Sequence, residues 1–130
     1  MPLPMRLSAI TLDCADPEAL AAFYQRLTGF APHPESDGDF AGLTGADGFF
    51  LGFQRVDDYR PPRWPGQDAP QQFHFDFEVD ADDLGAAEAV LREAGAVKAE
   101  HQPREDGWLV FTDPAGHPFC VVARRSTSSP

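Results

Sequence analysis

The chain carries an internal repeat, and this self-similarity constrains the fold more than any single motif does. Shifts of 66 and 68 residues superimpose residues at helix starts, helix stops, turns and strands, in four pairs: Asp16 with Asp82, Gly29 with Gly95, Gly48 with Gly116, and Gly52 with Cys120. Each half of the chain then follows the same order of strand, helix, strand, strand, strand. The repeat therefore predicts two similar β-α-β-β-β modules.

The centre of the chain carries the clearest strand pattern. Residues 73–79 (FHFDFEV) alternate aromatic or branched side chains with His74, Asp76 and Glu78. This alternation is typical of a half-buried β-strand, which we expect over Gln72–Val79. One face offers apolar rings to a core, while the other presents an imidazole beside carboxylates. Such a polar row needs partners or a cavity.

Two helices are predicted at corresponding places in the two modules. Asp16 as N-cap, Pro17 in the first turn and Gly29 as a left-handed stop define a helix to about Leu27. A second helix follows Asp82-Asp83 and runs to about Ala94 before Gly95. Residues at three- and four-residue spacing should bury against the sheets: Leu20, Phe23, Tyr24 and Leu27, then Leu84, Ala87, Val90 and Leu91.

The remaining strands are short and separated by turn residues. We expect them near residues 6–13, 30–34, 39–44, 48–55, 96–101, 107–112 and 117–124. Residues 57–71 carry four prolines and no periodicity, so they are predicted to connect module one, about 6–56, with module two, about 72–124. The tail, 125–130, is expected to be frayed.

Composition narrows the class of protein. The 130 residues are 42% hydrophobic, with neither an apolar run of membrane-spanning length nor a signal-peptide pattern, so we expect a single cytoplasmic domain. The two cysteines are expected to be thiols. A net charge of −11 disfavours nucleic acid and anionic membrane and favours a cationic small molecule, although such a surface can also serve solubility alone.

Three stretches, residues 12–24, 73–80 and 111–122, resemble the vicinal oxygen chelate superfamily, the glyoxalase, bleomycin-resistance and extradiol-dioxygenase group. The likeness is nearest to its glyoxalase-like domains. The resemblance implies an α+β fold in which two β-α-β-β-β modules form a cup-shaped mixed sheet with helices outside. It also implies a homodimer, since superfamily members commonly pair or exchange modules.

Metal-dependent members of this superfamily place three or four His or Glu ligands on the first and last strands of each module. The resemblance puts those positions at Ser8 or Ala9, Gly52, His74 and Cys120. Only His74 matches a usual ligand, and Cys120 offers a soft thiol. A hard-metal site needs more oxygen or nitrogen donors than this, so we expect no catalytic metal, with a divalent metal as the open alternative.

Strand parity selects the side chains that should face the cup, and a mixed apolar and polar lining is usual for small-molecule sites. The full set of positions is Ala9, Thr11, Asp13, Phe50, Gly52, Gln54, His74, Asp76, Trp108, Val110, Cys120 and Val122. Of these, Asp13, Gln54, His74, Asp76, Trp108 and Cys120 are the candidate ligand contacts.

Each of these candidates also has a structural interpretation. His74 beside Asp76 is either a tuned base, and then the best catalytic candidate, or a histidine satisfied by its neighbour. Cys120 fits a buried structural thiol better than a nucleophile, and Trp108 fits ligand stacking or core packing. Asp13 and Gln54 are either ligand contacts or polar groups at the ends of strands.

The leading interpretation is a glyoxalase/bleomycin-resistance-like protein that binds a small, cationic or aromatic molecule between its modules. The alternative is a metal-dependent lyase, isomerase or dioxygenase of the same superfamily that uses His74. A third possibility is a partner-binding module whose cup is filled by side chains.

Overall fold

The structure of the protein, a computed structural model, describes residues 3–124. Its contacts divide the chain into a first unit, residues 1–59, and a second unit, residues 60–130. The tail predicted to be frayed, residues 125–130, lies outside the described residues. Within residues 3–124, no helix combines the length and the apolar character needed to cross a membrane.

The first unit contains one helix and one four-stranded sheet. Its elements are β1 (Ala9–Cys14), α1 (Pro17–Thr28), β2 (Ala31–Pro32), β3 (Phe40–Thr44) and β4 (Phe50–Arg55). The sheet order is β1-β4-β3-β2, with β1 parallel to β4 and the other pairs antiparallel. Helix α1 packs on β3 and β4, where Tyr24 stacks on Phe53 with ring centroids 5.7 Å apart.

The second unit repeats this plan. Its elements are β5 (Phe75–Asp80), a 3-10 turn (Ala81–Asp83), α2 (Leu84–Ala94), β6 (Val97–Lys98), β7 (Trp108–Thr112) and β8 (Pro118–Arg124). The sheet order is β5-β8-β7-β6, again with the first pair parallel and the others antiparallel. The predicted α+β fold of two repeated β-α-β-β-β modules is therefore confirmed.

Local chemistry explains the ends of α1. Asp16 accepts a hydrogen bond from the Ala19 amide at 3.1 Å, and Pro17 occupies the first turn, where a missing N–H costs nothing. Gly29 ends the helix at φ 72° and donates its N–H to the Gln25 carbonyl at 2.8 Å. This left-handed conformation is open to glycine because it has no Cβ.

The start of α2 differs from the prediction. Asp82 was expected to correspond to the Asp16 cap, but it lies inside the 3-10 turn, and the N-cap position, Asp83, makes no side-chain capping bond. Gly95 does end the helix in the left-handed region, at φ 114°.

The apolar stripe predicted for α2 is also only partly buried. Leu91 is buried, whereas Val90 is 48% exposed, so its predicted burial is wrong. Helix α1 by contrast buries Leu20, Phe23 and Tyr24. Apolar spacing alone does not measure how closely a sheet approaches a helix.

Two predicted strands begin later than expected. The first starts at Ala9 rather than residue 6, and the central strand starts at Phe75 rather than Gln72. Phe73, predicted to face the core, is 54% exposed. The ladder from β5 to β8 begins at Phe75 opposite Phe119, directly after Pro118, whose ring nitrogen has no N–H to extend it.

Residues of the proline-rich stretch pack against the second unit. The Arg63 amide donates to the Ala69 carbonyl at 2.6 Å, and the ring of Trp64 lies 5.3 Å from that of His101. Pro61 lies against Gly116, whose φ is 88°. This packing brings residues from the stretch to one face of the second sheet.

Candidate functional site

Strand register in the second unit gathers four of the six predicted site residues on one sheet face. In β5, β8 and β7, Asp76 lies opposite Cys120, which lies opposite Val110. One step along the same face, Val122 lies opposite Trp108. Because side chains two residues apart share a face, His74 and Asp76 project on the same side. The period-two pattern of the sequence thus becomes a patch three strands wide.

A pocket of about 410 Å³ lies over this face. Its walls combine strand residues with residues from the proline-rich stretch and a loop: Trp64, Gln71, His74, Asp76, Pro103, Trp108, Val110, Pro118, Cys120 and Val122. Most of these side chains are apolar or aromatic, and a few polar groups converge among them. This size and composition are usual for a small-molecule site.

Three of the lining residues bring chemically different donors together. The Nε2 atom of His74 lies 3.4 Å from Oδ1 of Asp76, and Cys120 offers its Sγ so that all three donor atoms lie within 4.8 Å of one another. The side chains of His74 and Asp76 are 38% and 59% exposed, whereas Cys120 is buried. An Asp76 carboxylate at this distance can orient the imidazole ring.

Burial and a neighbouring acid set the state of the Cys120 thiol. Removal from water, the negative charge of Asp76 and a hydrogen bond with Asp76 together raise the pKa of Cys120 to about 11, with removal from water the largest cause. All three effects penalise the thiolate. Cys120 is therefore a neutral thiol at neutral pH and a poor nucleophile.

The register also decides which residues stand where superfamily ligands would stand. Thr11 pairs with Gly52 as Asp76 pairs with Cys120, so two residues back along the chain Ala9, not Ser8, corresponds to His74. Gly52 lies opposite Thr11 as Cys120 lies opposite Asp76. Neither Ala9 nor Gly52 has a donor side chain. The four-position chelate implied by the resemblance does not fit these residues.

Glycine at position 52 is required by its surroundings. A Cβ there would lie 2.8 Å from the Phe40 ring and 2.9 Å from the Thr11 hydroxyl. Gly42, on the neighbouring strand, is covered by the Phe50 ring in the same way. Aromatic rings thus occupy the space in which a ligand side chain of the first unit would stand.

Asp13 and Gln54 meet each other within the first unit. The Gln54 amide donates to Oδ1 of Asp13 at 3.1 Å, and both residues are exposed at the ends of β1 and β4. Their predicted role as ligand contacts stays a prediction. His74, Asp76, Trp108 and Cys120, the other candidates, all line the pocket of the second unit.

Sequence reasoning missed the residues that reach the pocket from outside the strands. Trp64, Gln71 and Pro103 lie in segments without periodicity, and Pro118 opens β8. The Gln71 side-chain oxygen is buried and makes no hydrogen bond among the described residues. Two signals were available: Pro118 shares strand parity with Cys120 and Val122, and a tryptophan in a loop, here Trp64, usually packs against something.

The duplicated fold defines a class of small α+β proteins built from two β-α-β-β-β modules. The chain belongs to the glyoxalase-like domain family, whose model matches residues 9–122. A comparison with curated proteins finds no match.

Solved structures with the same fold come from several bacteria. A possible glyoxalase from Bacillus cereus is 20% identical, with 92% of this chain and 99% of its own covered and a TM-score of 0.68. A glyoxalase/bleomycin resistance protein/dioxygenase family enzyme from Burkholderia phytofirmans is 22% identical, covering 90% and 97%, with a TM-score of 0.65.

A third similar structure contains a metal ion. The fosfomycin resistance protein FosX from Listeria monocytogenes, complexed with Mn(II) and 1S,2S-dihydroxypropylphosphonic acid, is 16% identical over 97% of this chain and 94% of its own, with a TM-score of 0.69. At this identity the likeness shows a shared fold.

Proposed function

We propose that this protein binds a small molecule in the pocket of the second unit, as a glyoxalase/bleomycin-resistance-like binding protein without the metal chelate of its superfamily. One observation carries the proposal: a pocket of about 410 Å³ whose mostly apolar walls surround the converging polar groups of His74, Asp76 and Gln71. Apolar walls supply affinity, and a few placed polar groups supply orientation.

The lining favours a flat ligand that carries a positive charge or a hydrogen-bond donor. Trp64 and Trp108 offer aromatic faces, and the Arg104 guanidinium 5.9 Å from the Trp108 ring helps to hold that indole in place. Among the described residues that line the pocket, Asp76 is the carboxylate and none is lysine or arginine. The buried Gln71 oxygen adds an acceptor that has no hydrogen-bond partner within residues 3–124. Two acceptors beside aromatic walls suit an aromatic amine.

The proposal is tested with three probes that share a naphthylmethyl group and carry a positive, a neutral or a negative polar group: 1-naphthalenemethylamine, 1-naphthalenemethanol and 1-naphthaleneacetate. Binding is measured by calorimetry in buffer with EDTA, so that no metal contributes. We expect the amine to bind most tightly and the acid most weakly. Trp108→Ala should weaken all three, while Asp76→Asn should remove the preference for the amine alone.

Glu78→Gln is the matched control, because Glu78 lies two residues further along β5 and outside the pocket lining. It lowers the net negative charge by the same amount as Asp76→Asn and should leave the order of probes unchanged. Failure of all three probes to bind, or tighter binding of the acid than of the amine, would overturn the proposal.

A second candidate function is an enzyme of the same superfamily in which His74 acts as the base. The observation that favours it is the separation of 3.4 Å between His74 Nε2 and Asp76 Oδ1, which suits proton transfer at an oriented imidazole. Consumption of fosfomycin or catechol by the purified protein, abolished by His74→Ala, would establish turnover. In a binding protein the same substitution only weakens affinity.

A further inference from the structure

The second unit assembles one nitrogen, one oxygen and one sulfur donor at the base of its pocket. His74, Asp76 and Cys120 come from two neighbouring parallel strands, and their donor atoms all lie within 4.8 Å of one another. Only His74 and Cys120 correspond to superfamily ligand positions. Asp76 pairs with Cys120 across the ladder and corresponds to Thr11 in the first unit.

We propose that His74, Asp76 and Cys120 bind a zinc-class divalent ion, such as Zn²⁺ or Co²⁺, in a three-ligand site contained in the second unit. This inference goes beyond the proposed function, because an aromatic ligand can occupy the pocket without an ion. Imidazole, carboxylate and thiolate are the ligands of zinc, and three protein ligands with an open fourth position are usual for reactive zinc sites.

The distances suit a tetrahedral ion. Bond lengths of about 2.0–2.3 Å place tetrahedral zinc donors roughly 3.3–3.6 Å apart. The His74–Asp76 pair is already at 3.4 Å. The distances from the Cys120 sulfur to the other two donor atoms are at most 4.8 Å. Rotation of the partly exposed His74 and Asp76 side chains shortens them to the distances that zinc needs.

Charge and softness select the ion. When the ion binds, the Cys120 thiol loses its proton to solvent, and the thiolate and the Asp76 carboxylate together balance the two positive charges. A thiolate prefers borderline and soft ions, whereas Mn²⁺, Mg²⁺ and Ca²⁺ prefer oxygen ligands. The Mn(II) present in the FosX structure is therefore not the ion that this donor set favours.

The test is titration of the untagged, chelator-treated protein with Zn²⁺, Co²⁺ and Mn²⁺ without any organic ligand. We expect one Zn²⁺ or Co²⁺ per chain, much weaker Mn²⁺ binding, and a near-ultraviolet thiolate-to-cobalt charge-transfer band. Cys120→Ser should abolish that band. His74→Ala and Asp76→Asn should each weaken zinc by at least the ~10–100-fold that changes around a ligand shell cost.

Matched controls exist in the first unit. Cys14 is a second buried cysteine, and His33 lies 4.0 Å from Glu35 as His74 lies near Asp76. Cys14→Ser and His33→Ala should therefore leave both stoichiometry and band unchanged. Far-ultraviolet circular dichroism confirms that each variant is folded, and Cys120→Ala provides a second test if the serine variant is not.

Several results would overturn the inference: no stoichiometric zinc, Mn²⁺ binding as tight as Zn²⁺, or a cobalt band that survives Cys120→Ser. Zinc should also weaken the binding of 1-naphthalenemethylamine, which needs Asp76, more than the binding of 1-naphthalenemethanol. Equal weakening of the two probes would place the ion elsewhere. The ion titration contains no probe, the comparison of the three probes contains EDTA, and only the competition experiment combines them, so failure of one proposal is distinguishable from failure of the other.

Discussion

In the first unit, strand register aligns Thr11, Gly52 and Gly42 across three strands, and in the second unit the same register aligns Asp76, Cys120 and Val110. The two sets occupy equivalent positions of one repeated fold. The first set lies under the rings of Phe40 and Phe50, which are stacked with centroids 6.2 Å apart. The second set lines a pocket.

This difference shows how equivalent sheet faces of a duplicated fold can differ, since rings cover one face and the other lines a pocket. A glycine leaves room for an aromatic ring to lie on the sheet, whereas a side chain with a Cβ keeps neighbouring groups away. The equivalents of Phe40 and Phe50 are Trp108 and Pro118, which line the pocket walls. At these equivalent positions, the carboxylate and the thiol therefore belong to the second unit.

The largest expected effect concerns the two helices. Tyr24 and Val90 are equivalent under the 66-residue shift, but Tyr24 is fully buried and Val90 is largely exposed. Tyr24→Ala should lower the free energy of unfolding by about 3–5 kcal/mol, because it leaves a cavity beside Phe53. Val90→Ala should cost about 0.5 kcal/mol or less. Urea unfolding followed by circular dichroism measures both, and similar losses would contradict the difference in burial.

The next effect concerns the glycine covered by a ring. Gly42→Val gives the first unit the residue that stands at the equivalent position of the second, Val110. The new side chain would collide with the Phe50 ring, since even a Cβ at position 42 lies 2.6 Å from its Cε1 atom. We expect a loss of about 3 kcal/mol in the free energy of unfolding. Adding Phe50→Ala to this variant should restore part of the lost stability. If it restores none, collision with the Phe50 ring is not the cause of the loss.

A smaller effect distinguishes the turns before the last strands of the units. Asp113 is buried and accepts hydrogen bonds from the amides of Ala115 and His117 at 2.9 and 3.0 Å. In the first unit, Asp47 accepts from Phe49 at 3.0 Å but is exposed. Asp113→Ala should lower the free energy of unfolding by about 2 kcal/mol, and Asp47→Ala should lower it by less than about 0.5 kcal/mol. Both tryptophans lie in the second unit, so their fluorescence follows Asp113→Ala directly, and equal losses would contradict the prediction.

The smallest expected effect is on the reactivity of Cys120. Its pKa of about 11 keeps it protonated, so alkylation by iodoacetamide at pH 8 should be slow and should accelerate toward pH 11. Asp76→Asn removes one cause of the raised pKa and should speed alkylation several-fold at pH 8. Peptide mapping by mass spectrometry separates Cys120 from Cys14, and an unchanged Cys120 rate in the variant would exclude Asp76 as a cause.

The same raised pKa predicts how stability depends on pH. The folded protein holds the Cys120 proton to higher pH than the unfolded chain, whose thiol has a pKa near 9.0. The contribution of the protonated Cys120 thiol to the free energy of unfolding is therefore complete below pH 9.0 and is lost as the pH rises toward about 11.

The sequence by itself determined the duplicated fold, both helix stops and the polar row of β5. These features depend on spacing and on local backbone chemistry: a proline in a first turn, a glycine in the left-handed region, and side chains alternating across a strand. His74, Asp76, Trp108 and Cys120 could be selected as candidates because parity assigns the faces of a strand.

Only the tertiary structure decided which of these candidates meet. The approach of Asp76 to Cys120 depends on the register between β5 and β8, which are far apart in the chain, and Trp64 and Gln71 reach the pocket from a stretch without periodicity. The burial of Tyr24 and the exposure of Val90 likewise follow from how closely each helix packs. Register and packing are set by contacts between distant residues, and a local pattern carries no record of those contacts.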